Sequence, residues 1–317
     1  MSLPLLLAIV GPTASGKTAL SILLAEKLGG DIISADSRQI YRYLDIGTAK
    51  PAPEELQRVA HQFINILDPD QYYNAADYGQ QARAKIDELL KQNKQPILVG
   101  GSGLYVRAVI DGFFEGPGKN SEMREQLEHE ARTLGSEILF ERLKKIDPIS
   151  ATKMDATKLR RVIRALEVYY TTGKSISDLH SIQEMKIPFD TVQFGCEWER
   201  KVLYHRIEQR VDRMIENGLI DEVRGLLEKG YSRGINALNT VGYKEVIDYI
   251  DGKITKEDMI RLMKQNTRRF AKRQLTWFRA DKRIRWIPMN DETDWNKIAE
   301  NLKEEFRSLH INHSLPN

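Results

Sequence analysis

A short apolar run followed by a glycine-rich turn constrains the fold of this chain more than any other stretch. Residues 5–10 read Leu-Leu-Leu-Ala-Ile-Val, and residues 11–18 read Gly-Pro-Thr-Ala-Ser-Gly-Lys-Thr. The second stretch fits G-x-x-x-x-G-K-[ST], the pattern of a phosphate-binding loop (P-loop) between a buried strand and a helix. Backbone N–H groups in such a loop converge on an anion, Lys17 adds a positive charge, and the Thr18 hydroxyl suits Mg²⁺. The sequence therefore predicts a polyphosphate site, and the loop leaves open which polyphosphate it binds.

Strand and helix patterns alternate on both sides of this loop. Strand-like segments are residues 31–37, 61–67, 96–99, 191–198 and 284–289, and helical spacing is found at 19–28, 75–91, 200–229, 255–279 and from about 293. Residues 38–53, rich in Tyr, Gly and Pro, read as a long loop. Such alternation predicts an α/β fold, a P-loop NTPase-like core whose mostly parallel sheet is flanked by helices.

The rhythm changes in the middle of the chain. A hinge rich in Gly and Pro spans residues 113–119, and only helical patterns follow from 120 to 186, with breaks at Gly135, Asp147-Pro148 and Gly173. We therefore predict a catalytic core of residues 1–115 and 190–317, and an inserted all-helical domain of residues 116–189.

Positive charge is concentrated in two segments, although the net charge is only +3. Residues 261–285 hold ten Lys or Arg against one acid, Asp281, and helical spacing places five of the cations on one face: Arg261, Lys264, Arg268, Lys272 and Arg279. In the insert, Arg160, Arg161 and Arg164 share a predicted helix with Glu167, which is close enough to pair with Arg164. Both segments fit either a solvated helix face or a nucleic-acid backbone gripped from two sides.

Composition excludes several classes of protein. Cys196 is the single cysteine and the six histidines are scattered, which excludes a disulfide framework and a cysteine zinc site and argues against a histidine metal site. No apolar run has membrane-spanning length, and the opening Leu-rich run reads as a strand and not as a signal peptide. We expect a cytoplasmic protein without a membrane partner.

Asp36 is the second candidate for chemistry, because it lies at the carboxyl end of the predicted second strand, where open α/β sheets bind ligands. A carboxylate there holds Mg²⁺ through water or accepts a proton, and the structural alternative is a cap or loop hydrogen bond. The strand at 97–99 ends in Gly-Gly-Ser, so the acid of a standard Walker-B motif is not visible.

Seven stretches, in order along nearly the whole chain, resemble the bacterial tRNA dimethylallyltransferases, also called tRNA isopentenyltransferases. The stretches are Gly11-Pro-Thr-Ala-Ser-Gly-Lys-Thr18, Asp36-Ser-Arg-Gln-Ile-Tyr41, Asp45-Ile-Gly-Thr-Ala-Lys-Pro51, Gly100-Gly-Ser-Gly-Leu-Tyr105, Arg160-Arg-Val-Ile-Arg-Ala-Leu-Glu-Val168, Val241-Gly-Tyr-Lys-Glu245 and Thr267-Arg-Arg-Phe-Ala-Lys-Arg-Gln-Leu-Thr-Trp277. Ser102 departs from the Thr usual in the family but keeps the hydroxyl.

The resemblance implies transfer of a dimethylallyl group from dimethylallyl diphosphate to N6 of adenosine 37, beside the anticodon of tRNA, with Mg²⁺ as cofactor and a monomer as the active form. It implies that Asp36, Lys17, Thr18 and Arg210 are catalytic, with Asp36 as general base and Thr18 on the metal. Diphosphate would be bound by Gly11, Thr13, Ala14, Ser15, Gly16, Lys17, Thr18 and Arg210. Transfer RNA would be bound by Asp36, Ser37, Arg38, Gln39, Ser102, Arg124, Arg160, Arg161, Arg164, Val241, Gly242, Tyr243, Lys244, Arg268 and Lys272.

Two other functions compete with this one. A nucleoside or small-molecule kinase using ATP explains the P-loop and Asp36, but not the helical insert or the basic segment 261–285. A non-enzymatic RNA-binding ATPase explains the basic segments and leaves Asp36 without a purpose. ATP binding at the loop is compatible with all three functions and required only by the last two.

Overall fold

The computed structural model describes residues 3–112, 118, 120–182 and 186–314. The chain divides into two compact units, a core unit of Met1–Asp111 with Ile187–Asn317 and an insert unit of Gly112–Lys186. Most of the predicted hinge at 113–119 lies outside the described residues, as do residues 183–185.

A six-stranded sheet organises the core unit. Its strands are β1 (Leu5–Val10), β2 (Gly30–Ser34), β3 (His61–Gln62), β4 (Gln95–Gly100), β5 (Asp190–Trp198) and β6 (Ile284–Met289). Their order is β3-β2-β4-β1-β5-β6, and each pair is parallel. Ile9 in the central strand lies opposite Val99 on one side and Phe194 on the other. The predicted mostly parallel sheet is confirmed.

Fourteen α-helices occur among the described residues. They are α1 (Lys17–Leu28), α2 (Pro53–Arg58), α3 (Ala75–Lys91), α4 (Gly103–Ile110), α5 (Ser121–Leu134), α6 (Ser136–Ile146), α7 (Pro148–Ala151), α8 (Leu159–Thr172), α9 (Ile176–Ile182), α10 (Arg200–Glu216), α11 (Leu219–Glu228), α12 (Tyr243–Ile250), α13 (Lys256–Arg279) and α14 (Trp295–Ser314). Within this described part of the chain, no helix combines the length and the apolar character that crossing a membrane requires.

Helices cover both faces of the sheet, as the continuous apolar run of β1 requires. Leu6 and Val10 face a cluster that includes residues of α3, α4, α11 and α12. Leu7 and Ile9 face a second cluster, formed largely with α1 and α14. Burial on both sides of every β1 residue fixes the strand, and with it the position of the P-loop that follows.

Two predicted elements differ from the structure. The single helix expected at 200–229 is two helices, α10 and α11, because Gly218 adopts a left-handed conformation (φ +92°) that ends one helix and starts the next. The strand expected at 61–67 pairs only at His61–Gln62. The helix from 255 is confirmed, and the hydroxyl of Thr255 caps it by accepting from the N–H of Asp258.

Among the described residues of the insert unit, every regular element is a helix, from α5 to α9 with a 3₁₀ turn at Ala156–Lys158. Its own apolar core joins α5, α6 and α8 through residues such as Leu127, Leu139 and Leu166. Asp147 caps α7 by accepting from the N–H of Ser150, at the break that Asp147-Pro148 predicts.

Candidate active site

The P-loop leaves the end of β1 and enters α1 at Lys17. Ala14 (φ +64°) and Gly16 (φ +86°) both lie in the left-handed region, a conformation that turns successive N–H groups toward one side. A Cβ on Gly16 would lie 2.2 Å from the ring of Trp295, so no larger residue fits there. Among the described residues, the N–H groups of 14–16 have no hydrogen-bond acceptor, which leaves them for an anion.

Donors from other elements bind the carbonyl groups of the same loop. Lys17 Nζ donates to the carbonyl of Pro12 (2.6 Å), Arg206 Nε to Ala14 (3.1 Å), and Trp198 Nε1 to Ser15 (2.9 Å). The guanidinium of Arg206 also lies over the Trp198 ring, 4.1 Å from its centroid. With its carbonyls bound in this way, the loop keeps the conformation in which its N–H groups serve a ligand.

Two positively charged side chains at the P-loop, Lys17 and Arg210, form no ion pair with a carboxylate among the described residues. Burial lowers the pKa of Lys17 to about 8, despite opposing effects of Cys196 and Asp36. Burial also lowers the pKa of Arg210, which has no hydrogen-bond or ion-pair partner among the described residues. The buried Ser15 hydroxyl likewise has no partner in this part of the chain. Two cations without an ion-paired carboxylate and a buried hydroxyl without a hydrogen bond, among the described residues, indicate a site built for a multiply charged anion.

Asp36 follows β2 and turns the chain. Its Oδ1 accepts from the N–H of Arg38 (2.8 Å) and Gln39 (3.3 Å), which is the loop hydrogen bond expected as the structural alternative. Its other oxygen has no hydrogen bond to the described residues. The side chain interacts electrostatically with both Lys17 and Arg210. Asp36 therefore has a structural role at one oxygen and a free oxygen beside the anion site.

The other predicted residues of this turn are held by hydrogen bonds. Ser102 Oγ accepts from the N–H of Ser37 (3.0 Å) and donates to its hydroxyl (3.2 Å). Gln39 donates to the carbonyls of Thr48 (3.2 Å) and Ala49 (3.1 Å). These hydrogen bonds join the ends of β2 and β4 to the loop at 45–49. The residues predicted here to bind tRNA, Ser37, Gln39 and Ser102, therefore form one connected surface.

The loop at 45–49 rests on a carboxylate that sequence reasoning missed. Glu222 in α11 accepts from the N–H groups of Asp45 (2.9 Å), Ile46 (2.7 Å) and Gly47 (3.2 Å), and from the hydroxyl of Tyr243 (2.6 Å). Tyr243 is fully buried against Gly47. Its side chain therefore packs against the loop at 45–49 and helps to hold it in place.

The other residues of the motif Val241–Glu245 that are predicted to bind tRNA differ in exposure. Gly242 is buried, Val241 is partly exposed, and Lys244 is exposed in the first turn of α12. An RNA contact by side chains of this motif is therefore left to Val241 and Lys244.

The basic segment 261–285 is largely neutralised by acids from elsewhere in the chain. Of the five cations on the predicted face, four form ion pairs: Arg261 with Asp258, Lys264 with Asp212, Arg268 with Glu208, and Arg279 with Glu197. Only Lys272 of the five has no ion-pair partner within the described residues. One helix, α13, holds the five predicted cations, and ion pairs with partners up to 82 residues away offset most of their charge.

The insert arginines divide into two kinds. Glu167, fully buried, accepts from Arg124 (2.9 Å at both oxygens) and from Arg164 (2.8 Å), so the predicted Arg164–Glu167 pair is confirmed. Burial raises the pKa of Glu167, but the two arginines more than offset it and the net pKa is below its usual value. Arg160 and Arg161 are exposed and have no ion pair within the described residues.

A model of the IPP transferase family matches residues 39–281. This chain belongs to the IPP transferase family. A tRNA dimethylallyltransferase of Pelotomaculum thermopropionicum is 49% identical over 298 residues, which are 94% of this chain and 95% of the relative. The full-length tRNA isopentenylpyrophosphate transferase of Bacillus halodurans has a TM-score of 0.73 and 42% identity, covering 98% of this chain and 97% of that one. A eukaryotic dimethylallyltransferase acting on tRNA has a TM-score of 0.83 and 28% identity, covering 96% and 80%.

The residues of this IPP transferase fit Mg²⁺ only as a partner of a bound phosphate. The described residues contain no group of three His, Cys, Asp or Glu side chains able to hold a metal. The Thr18 hydroxyl, partly exposed in the first turn of α1, is one hard oxygen ligand. Mg²⁺ usually keeps several waters and takes its other ligands from substrate phosphates, and one hydroxyl at a P-loop suits that habit.

Proposed function

We propose that this member of the IPP transferase family is a tRNA dimethylallyltransferase. It transfers the dimethylallyl group of dimethylallyl diphosphate to N6 of adenosine 37 in the anticodon loop and releases diphosphate. The observation that carries the proposal is the pairing of two features: a P-loop with two cations lacking carboxylate partners, and a carboxylate, Asp36, with one free oxygen beside it.

In the proposed reaction the P-loop binds the leaving group. The bond between C1 of the dimethylallyl group and the diphosphate oxygen breaks, and a bond between C1 and N6 of adenine forms. Negative charge grows on the diphosphate as the bond breaks, so Lys17, Arg210 and the N–H groups of 14–16 stabilise the transition state more than the ground state. Mg²⁺, bound by Thr18 and the diphosphate, would supply further charge neutralisation.

Asp36 acts on the acceptor. The amino group of adenine is a weak nucleophile, and the nitrogen must lose a proton when it becomes a secondary amine. The free oxygen of Asp36 takes that proton, while its other oxygen keeps the turn in place. The adenine must leave the anticodon stack to reach the carboxylate, as in other enzymes that act on a single base.

Binding of tRNA is assigned to residues of both units. In the core unit these are Ser37, Arg38, Gln39, Ser102, Val241, Lys244, Arg268 and Lys272, and in the insert unit Arg124, Arg160, Arg161 and Arg164. Exposed ion pairs contribute little to stability, so Arg268 loses little when it exchanges Glu208 for a phosphate. We also propose that the enzyme acts as a monomer, and that it works in the cytoplasm, where its tRNA substrate is found.

The test is transfer of label. The protein is incubated with dimethylallyl diphosphate labelled in the alkyl chain, Mg²⁺ and unmodified tRNA, with a tRNA carrying guanosine at position 37 as the matched control. We expect label in the first tRNA and none in the control. Release of phosphate from ATP with no label in either RNA would overturn the proposal in favour of a kinase or an ATPase.

A further inference from the structure

One glutamine joins two loops that come from different strands of the sheet. Gln274, in α13, is only 8% exposed, and both the oxygen and the nitrogen of its side-chain amide form hydrogen bonds. Its Oε1 accepts from the N–H of Thr13 in the P-loop (2.8 Å), and its Nε2 donates to the carbonyl of Gly101 (2.9 Å). The first loop follows β1 and the second follows β4, its neighbour in the sheet.

The contact is close on the Gly101 side. A Cβ on Gly101 would lie 2.4 Å from Nε2 of Gln274, so the amide occupies the space of a side chain. The next residue, Ser102, is hydrogen-bonded to Ser37, directly after Asp36. A continuous set of bonds thus runs from the P-loop through Gln274 to the turn that carries the proposed base.

We propose that Gln274 is a positioning residue that sets the P-loop and the turn at 100–102 at the separation needed for alkyl transfer. The inference rests on the proposed function. The two reacting groups come from opposite sides of this contact: the diphosphate ester lies in the P-loop, and the adenine nitrogen lies at Asp36. Because the N–H of Thr13 is bound to Gln274, that group does not serve the diphosphate, and only the Thr13 hydroxyl is left to do so.

The size of the effect follows from the geometry of transfer. Displacement at carbon requires nucleophile and leaving group in line, and a misplacement of about 1 Å costs on the order of 100-fold in rate. We expect Gln274→Met, similar in length but unable to donate or accept, to lower the single-turnover rate constant about 10- to 100-fold. We also expect weaker binding of inorganic diphosphate, because the P-loop loses one of its anchors.

Single-turnover kinetics separates positioning from folding. A variant that is merely less folded transfers less label but at the wild-type rate constant, since only the active fraction changes. A positioning variant shows the lower rate constant at full amplitude, with tRNA affinity unchanged. The matched control is Gln80→Met, on the exposed face of α3 and without a hydrogen bond to the described residues, which should match wild type in every measurement.

Gln274→Glu supplies a second, independent variant. Its carboxylate accepts from Thr13 but cannot donate to Gly101, whereas its protonated form can do both. The ratio of its rate constant to that of wild type should therefore rise as pH falls, and taking the ratio removes any pH dependence that both enzymes share. If Gln274→Met fails to fold, the pH dependence of this ratio tests the positioning role of Gln274 instead.

Three results would overturn the positioning role: a wild-type rate constant in Gln274→Met, a loss confined to amplitude, or a pH-independent ratio in Gln274→Glu. Absence of transfer by the wild-type enzyme would refute the proposed function instead. In that case diphosphate binding still tests the contact with the P-loop, because unchanged affinity in Gln274→Met would refute it.

Discussion

Lys17 makes diphosphate binding depend on pH in a way that can be calculated. Burial lowers the pKa of its ammonium group to about 8 in the ligand-free protein. A bound diphosphate places negative charge beside the ammonium and favours its protonated form, which returns the pKa at least to about 10.5, the ordinary value for lysine. Binding therefore takes up a proton wherever the pH lies between these two values.

The direction and the size of the change in diphosphate affinity with pH follow from the linkage between proton binding and diphosphate binding. Below pH 8 both states are protonated and affinity is constant; above pH 8 the free protein loses its proton and affinity falls. With these pKa values the dissociation constant should rise about tenfold between pH 7 and pH 9, and binding at pH 8.5 should take up about 0.7 protons. A diphosphate gains negative charge over this range, so its own ionisation works in the opposite direction. Burial raises the pKa of the Cys196 thiol to about 11, so the thiol stays neutral.

Titration calorimetry with inorganic diphosphate and Mg²⁺ measures both quantities, and proton uptake comes from buffers of different ionisation enthalpy. Lys17→Arg is the control, because a guanidinium stays charged up to pH 9, so its dissociation constant changes only with the ionisation of the diphosphate, and the ratio of the wild-type constant to the Lys17→Arg constant should rise about tenfold. A ratio of the wild-type to the Lys17→Arg dissociation constant that changes by less than twofold from pH 7 to 9 would refute the reasoning.

Two further predictions concern the acceptor side. Asp36→Asn keeps an oxygen to accept from Arg38 and Gln39 but loses the base, so we expect tRNA binding to persist and kcat to fall about 10²- to 10⁴-fold; a normal rate in label transfer would exclude Asp36 as the base. Glu222→Gln replaces the carboxylate that binds the N–H groups at 45–47 with a neutral amide, and should lower the free energy of unfolding by about 1 to 3 kcal/mol in urea titrations. Tyr243→Phe in a double-mutant cycle with it should be non-additive, and strict additivity would show that the two groups do not act together.

The parts of the fold that the sequence predicts are those with a local cause. The apolar run of β1 can only be a strand covered on both faces, and the P-loop pattern follows from its eight residues alone. The break at Gly218 was missed because the apolar stripe continues through it, and only the backbone conformation shows that the helix ends. A glycine inside a periodic pattern is a weak signal, since helices tolerate it.

Long-range partners explain the other failures. The charge of residues 261–285 is high along the chain, but most of the acids that pair with it lie in other elements, such as Glu208 in α10 and Glu197 in β5. Gln274 lies inside the family motif Thr267–Trp277, yet the hydrogen bonds of its side-chain amide reach residues 173 and 261 positions away, which no spacing rule predicts. Glu222 lies outside every motif and has no signal in the sequence.

The close packing at the end of β4 is a physical reason to regard the P-loop as a cradle for a leaving group. In P-loop NTPases an acid near the nucleotide helps to hold Mg²⁺, and the strand beside β1 is a natural place for it. Here β1 lies between β4 and β5, and at the end of β4 other atoms lie too close for side chains at Gly100 and Gly101. A Cβ on Gly100 would lie 2.1 Å from the carbonyl oxygen of Ala35, and one on Gly101 would meet Gln274. Neither position has room for a carboxylate, so the end of β4 supplies no acid to the site, and the proposed base, Asp36, comes instead from the turn after β2.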